Sequence, residues 1–307
     1  MGGLLGGYFL INAVSAEAPL VRTYSKPPRL QPSLSQRLEI LPPVPTTTLS
    51  PAPPVAPAPT VKAKAAVVLE GKTGTLWYQQ NGEQVFSLAS LTKLMSAVVF
   101  LNTKPDLDQL VTIAAEDRDS IADYGSPEEP ISKVSWHSGE RIKLRDVLYA
   151  ALIPSANNAV MTLVRSTGLT LEEFVRLMNQ ATTRLNLAAR FVDPTGLEAA
   201  NQASALEVAK LARYAFAQPE LKKPLSLARY SFLSLDRESH TVVTTNRLLG
   251  RLPEVVAGKT GFIPEVGYNL AVKARRGNVE VIVVVLGAPT LTGRFTEAEK
   301  LVRWALP

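Results

Sequence analysis

Three short fragments carry the chemistry of this sequence: Ser90-Leu91-Thr92-Lys93, Ser155-Ala156-Asn157 and Lys259-Thr260-Gly261, in that order along 307 residues. A serine hydroxyl is a poor nucleophile at neutral pH and needs an adjacent base to take its proton. Lys93 follows Ser90 by three positions, and on a helix such positions share a face, so the amine can reach the hydroxyl. A lysine acts as a base only where part of its population is neutral. Burial and a second positive charge both favour that form, and Lys259 is the candidate for the charge. Lys259 and Thr260 suit a substrate carboxylate, and Gly261 lets a ligand approach the backbone closely. With Ser155 and Asn157 between them, the set reads as nucleophile, base, proton shuttle and anion-binding strand. A second Lys-Thr-Gly, at Lys72-Thr73-Gly74, lies between two apolar runs and reads as a hairpin turn without chemistry.

Each fragment needs an element to hold it. Residues 88–100 are good helix formers and apolar nearly all round, which predicts a buried helix. Ser90 would lie in its first turn, where free N–H groups and the helix dipole favour a developing oxyanion. Taken alone, the segment equally fits a buried helix with a snorkelling lysine. An apolar helix is predicted from about Leu144 into Pro154 and another from near Asn157, leaving Ser155 and Asn157 on a short connection. Simple helix capping by Ser and Asn fits that junction too. After residues 253–258 a strand pattern begins, and it places Lys259, Thr260 and Gly261 on an edge strand. Residues 231–247 read as a further hairpin.

Composition narrows the class. The length allows a full core, and 46% hydrophobic content is ordinary for a globular chain. Net charge is +6, a mild excess that suits an anionic wall or membrane surface. No basic stripe with interleaved aromatics is present, so nucleic acid is not an expected partner. With no cysteine and only His137 and His240, a metal site would be hard to assemble, and no cofactor is expected. Residues 1–16 carry no charged side chain, and the stretch from Tyr8 to Ala16 reads as an exported protein's signal or the outer half of a membrane anchor. Residues 17–61 read as a linker. Twelve of the 23 prolines lie between Pro19 and Pro59, which excludes regular helix or sheet and favours an extended, semi-rigid spacer.

Residues 62–307 resemble the serine-type D-alanyl-D-alanine carboxypeptidases, the low-molecular-mass penicillin-binding proteins. The resemblance runs through the strand–Gly71-Lys72-Thr73-Gly74–strand opening, Ala89-Ser90-Leu91-Thr92-Lys93-Leu94-Met95, and Gly139-Glu140 with Leu144-Arg145-Asp146-Val147-Leu148. It continues through Ile153-Pro154-Ser155-Ala156-Asn157-Asn158-Ala159, Asp193-Pro194-Thr195-Gly196-Leu197, the run from Gly258 to Leu270, and Val281 to Gly287. It implies Ser90 as the acylated nucleophile, Lys93 as its base, Ser155 as the hydroxyl relaying a proton to the leaving amine, and Asn157 as the holder of the substrate amide. Lys259 and Thr260 would recognise the terminal carboxylate, with Arg294 assisting, and the backbone N–H groups of Ser90 and Phe262 would form the oxyanion hole. Asn158 stands where aspartate is frequent, Asp193 where asparagine is frequent, and Ala203 to Leu206 departs from the usual serine-threonine-alanine run.

The resemblance also implies an α+β, penicillin-binding-protein-like fold of two lobes. A sheet of about five antiparallel strands would be built from both chain ends, with residues 65–79 pairing with strands at 265–275 and 279–287. Residues 104–215 would form a mainly helical lobe, with the cleft between lobes and Ser90 at its floor. The implied reaction removes the terminal D-alanine of peptidoglycan stem peptides through an acyl-enzyme, with β-lactam antibiotics as acylating inhibitors and no cofactor. The implied location is the cell envelope. Many relatives carry a β-rich domain and a membrane-binding helix beyond the point where this sequence stops, which favours a possible N-terminal membrane tether. Alternatives are a cross-link endopeptidase of the same fold, a β-lactamase using Glu198 (with Asn201 nearby) to activate water, and a non-catalytic wall-binding protein.

Overall fold

The computed structural model describes residues 52–119 and 132–307. The apolar segment 1–16 and residues 17–51 of the Pro-rich linker lie outside the described residues. The chain runs β1 (Ala65–Glu70), β2 (Leu76–Gln80), β3 (Val85–Ser87), a 3-10 turn at Ala89–Leu91, then α1 (Thr92–Asn102), β4 (Leu110–Thr112) and α2 (Ala115–Asp119). It continues through β5 (Arg141–Lys143), α3 (Leu144–Leu152), α4 (Asn157–Ser166), α5 (Leu171–Arg184), β6 (Ala189–Arg190), β7 (Gln202–Ser204), α6 (Ala205–Ala217) and α7 (Pro219–Ser226). The last part is β8 (Arg229–Leu233), β9 (Ser239–Val243), β10 (Val255–Ile263), β11 (Gly267–Arg276), β12 (Val279–Ala288) and α8 (Gly293–Ala305).

The main sheet has the order β10-β11-β12-β1-β2, all antiparallel, so the two chain ends build it together as expected. Its central strands are unbroken apolar runs because helices cover both faces. Side chains alternate across a strand, and here the alternation sorts them into two cores. Ala65, Val67, Leu69, Ile282, Val284 and Leu286 pack with Val208, Leu211 and Ala212 of α6. Ala66, Val68, Val281, Val283 and Val285 pack with Phe295, Ala298 and Leu301 of α8. Helices α1 and α3–α5 extend the first of these cores into the mainly helical part of an α+β molecule. Fixed caps hold two of the helices in phase: Thr170 and Glu173 form a reciprocal capping box on α5, and the Ser204 side chain accepts from the Glu207 N–H on α6.

Two consequences matter for the site. Strand β10, which carries Lys259, Thr260 and Gly261, is a sheet edge beside the turn bearing Ser90. The hairpin β8–β9 forms with Arg229 opposite Val243 and Leu233 opposite Ser239, which is the predicted hairpin with its first strand shifted slightly toward the N-terminus.

Candidate active site

Ser90 is not inside the first turn of a regular helix. Ala89 has a φ of 49°, a left-handed conformation that L-residues adopt at a cost. It interrupts the helical path, so Ser90 sits on the 3-10 turn and α1 begins at Thr92. From the first turn of α1, the Lys93 Nζ reaches Ser90 Oγ at 2.8 Å. Lys93 is only 1% exposed. It is no snorkelling lysine, because its amine also reaches Asn157 Oδ1 at 2.7 Å and the Thr195 carbonyl at 2.5 Å.

The second fragment does not cap a helix. The N-cap of α4 is Ala156, with no side-chain cap bond. Ser155 instead holds a φ of 69°, a strained backbone that turns its hydroxyl onto Lys259 Nζ at 2.6 Å. Asn157 donates its Nδ2 to the Ser132 carbonyl at 3.0 Å, and that bond fixes Oδ1 toward Lys93. Ser132 O also accepts the Asn157 N–H, so one carbonyl sets both the backbone and the amide of Asn157.

Lys259 is likewise 1% exposed, and its amine also donates to the Thr260 carbonyl. The Thr260 hydroxyl pairs with Thr245 Oγ1 at 2.5 Å. Gly261 lies so close to the turn bearing Ser90 that an added Cβ would stand 2.9 Å from the Leu88 carbonyl and 3.2 Å from the Ser90 nitrogen. Arg294, in the first turn of α8, donates its Nη1 to the Gly261 carbonyl at 3.0 Å, while its buried Nε has no partner. Its guanidinium lies 5.4 Å from the Tyr268 ring centre, and Tyr268 stacks on the half-exposed Phe262 at 4.4 Å. The nine residues singled out in the sequence therefore form one constellation.

Three buried cations lie in this constellation, and none has a carboxylate within ion-pair distance among the described residues. The electrostatic result follows. Burial lowers the Lys93 ammonium to about 7, opposed by the Asp193 carboxylate. Burial, then the charges of Lys93 and Arg294, lower Lys259 well below the ordinary lysine value. Burial lowers the Arg294 guanidinium to about 10, opposed by Tyr268, with Arg247 adding to the fall. Protonated, Lys93 spends its three N–H bonds on its three neighbours. Neutral, it keeps two, and two of its neighbours can only accept: the amide oxygen of Asn157 and the carbonyl of Thr195. The lone pair is then left for Ser90, the only neighbour with a proton to give.

Several positioning residues were not legible as such in the sequence. Asn269, 0% exposed on β11, donates to the carbonyls of Ser87 and Leu88 and accepts from the Gly287 N–H, tying the turn that bears Ser90 to the sheet. An asparagine inside the apolar run Tyr268-Asn269-Leu270-Ala271-Val272 was the available signal. Thr245 and Ser132 carry none, since their partners are distant in sequence. Glu198, the water-activating candidate of the β-lactamase alternative, has an exposed side chain, and its N–H donates to Asp193.

The chain is similar to several known proteins. The family model described as D-alanyl-D-alanine carboxypeptidase matches residues 52–290. The chain is 29% identical over 252 residues to D-alanyl-D-alanine carboxypeptidase DacF of Bacillus subtilis, a match covering 80% of this chain and 62% of that protein. It is 30% identical over 244 residues to a D-alanyl-D-alanine endopeptidase of Pseudomonas aeruginosa, covering 78% of this chain and 76% of that one. The crystal structure of the Streptomyces K15 DD-transpeptidase superposes with a TM-score of 0.75 at 25% identity, covering 82% of this chain and 99% of that chain.

Proposed function

Because the chain belongs to the D-alanyl-D-alanine carboxypeptidase family, we propose that it is a serine peptidase that removes the terminal D-alanine from peptidoglycan stem peptides. The observation that carries this reading is the pair of buried basic side chains Lys259 and Arg294, with no carboxylate within ion-pair distance among the described residues, beside the Ser90–Lys93 hydroxyl–amine pair. A buried uncompensated charge is costly, and a substrate ending in a carboxylate would relieve that cost while placing its last peptide bond at Ser90. Neutral Lys93 takes the Ser90 proton as Oγ bonds to the carbonyl carbon. The resulting oxyanion is held by the Ser90 and Phe262 N–H groups. Collapse breaks the carbon–nitrogen bond as Ser155 gives its proton to the departing amine of D-alanine and takes one from Lys259. Water then hydrolyses the ester, its proton passing to Lys259 while Lys93 returns a proton to Ser90 Oγ. Asn157 holds the substrate amide, and Thr260 shares carboxylate recognition with Lys259 and Arg294. A β-lactam, with its own carboxylate beside a strained amide, would acylate Ser90 by the same route.

The same reading makes residues 62–307 the catalytic domain, held in the cell envelope by the linker and an N-terminal tether. No helix among the described residues is long and apolar enough to cross a membrane. One relative favours a second reading: the Pseudomonas protein named as an endopeptidase is covered over more of its length than the Bacillus carboxypeptidase. Incubation with a fluorescent penicillin, followed by intact mass, should give a stable adduct on the wild type and none on Ser90→Ala. Product analysis then separates the readings: D-alanine released from a monomeric pentapeptide supports the carboxypeptidase, and cleavage of cross-linked dimers alone supports the endopeptidase.

A further inference from the structure

The loop from Asp193 to Asn201 lies against both reacting groups, and its hydrogen bonds can be accounted for almost completely. Asp193 Oδ1 accepts from the N–H groups of Thr195 (2.6 Å) and Gly196 (2.9 Å) and from the Thr195 hydroxyl (2.5 Å). Its Oδ2 accepts from the Glu198 N–H (2.9 Å) and from Asn201 Nδ2 (2.5 Å). Asn201 Oδ1 in turn accepts from the N–H groups of Val192 and Asp193, which leaves only its Nδ2 to face the carboxylate. Pro194 has no N–H, and the Leu197 N–H goes to Thr195 Oγ1. Every N–H from 192 to 198 is drawn inward, and two of the loop's carbonyls face α1. Pro194 O accepts from Ser96 Oγ at 2.6 Å, and Thr195 O accepts from Lys93 Nζ. Gly196, at φ 85°, rests on the nucleophile's backbone so closely that an added Cβ would stand 2.0 Å from the Ala89 carbonyl oxygen and 2.9 Å from the Ser90 nitrogen.

We propose that Asp193 and Asn201 are a matched acceptor–donor pair that positions the catalytic groups: Asp193 shapes the loop so that Thr195 O orients the Lys93 amine and Gly196 seats the Ser90 peptide. Five donors converge on Asp193, and only an ionised carboxylate has two oxygens free to accept them all. An asparagine there, as the resemblance would lead one to expect, would turn its own NH2 against Asn201 Nδ2 and the Glu198 N–H. The aspartate is thus the partner that Asn201 requires, and its effect reaches Ser90 through Lys93 and the Ala89–Ser90 peptide without touching substrate.

The proposal rests on the serine-peptidase reading, and the test separates the two. Asp193→Asn should acylate with a fluorescent penicillin about a hundredfold more slowly, with little change in the concentration giving half-maximal rate. The exchange Asp193→Asn with Asn201→Asp restores a donor facing an acceptor between the two side chains, while the Glu198 N–H still meets the new amide, so it should recover part of that loss. If the single variant fails to fold, the exchange alone decides, because it should fold and acylate. A folded Asp193→Asn protein that acylates within about twofold of wild type, or an exchange that recovers melting temperature but not acylation, would overturn the proposal. If the wild type itself forms no adduct, the serine-peptidase reading fails, and the proposal is read from the 13Cε resonance of Lys93 instead. A titration midpoint that moves in Asp193→Asn and returns in the exchange supports it, and an unmoved midpoint overturns it.

Discussion

Acylation of Ser90 should follow the titration of Lys93. Only the neutral amine can accept the Ser90 proton, and burial lowers the Lys93 ammonium to about 7. With that midpoint, the neutral fraction is about 0.9 at about pH 8 and about 0.01 at about pH 5, so the second-order rate constant for acylation should fall about ninetyfold between them. The acid limb can be moved by design. Asn157→Asp would place a carboxylate where an amide oxygen now lies 2.7 Å from the amine. An opposite charge that close raises an ammonium by about 1–3 pH units, so the rate at neutral pH should drop about fivefold or more and recover as pH rises. Timed labelling with a fluorescent penicillin from about pH 5 to about pH 9, checked by intact mass, reads both effects. A flat wild-type profile, or an acid limb that Asn157→Asp leaves in place, would refute the assignment of Lys93 as base.

Gly196→Ala should abolish acylation and destabilise the fold by about 3 kcal/mol or more, read by penicillin labelling and thermal melting, since its Cβ would meet backbone at 2.0 Å from an unfavourable φ of 85°. A folded, acylating variant would show that the loop does not rest on the nucleophile's turn. Stability should also climb on the alkaline side of neutrality. Lys93 is lowered to about 7 when folded and Lys259 is lowered as well, against about 10.4 unfolded, so between about pH 7 and about pH 10 the unfolded chain binds more protons and stability rises with pH. A gain on the order of 2 kcal/mol in urea unfolding from about pH 7 to about pH 9 is expected, reduced by Lys93→Met.

How much of this was legible in the sequence depended on how local each cause was. The order of the three fragments and the helices at Leu144 and Asn157 come from nearest neighbours and periodicity, and these hold in the structure. The edge position of Lys259 was read with the strand pattern and the pairing of both chain ends came from resemblance, and both hold as well. The start of α1 was misplaced because the left-handed backbone of Ala89 answers to a crowded tertiary setting, with Gly196 and Gly261 pressed against the same turn. Capping was a fair reading of Ser155 and Asn157, because that role is local. Their actual partners, Lys259 and Lys93, lie 104 and 64 residues away, and no local pattern encodes such a bond.

The same distinction explains one departure from the family pattern. Asp193 in place of asparagine is an isolated oddity when read along the chain. In space it is one half of a pair, because Asn201 has already committed its oxygen to two backbone N–H groups. Donor and acceptor counts, not similarity of side chains, therefore decide which substitutions the loop tolerates. A loop that satisfies its N–H groups internally has only carbonyls to offer the site, and carbonyls are what a lysine base needs around it. The Thr195 carbonyl holds one of its protons and the Asn157 amide oxygen another, which leaves its lone pair for Ser90. The chemistry of Lys93 is in this sense set up partly by a loop that never meets the substrate.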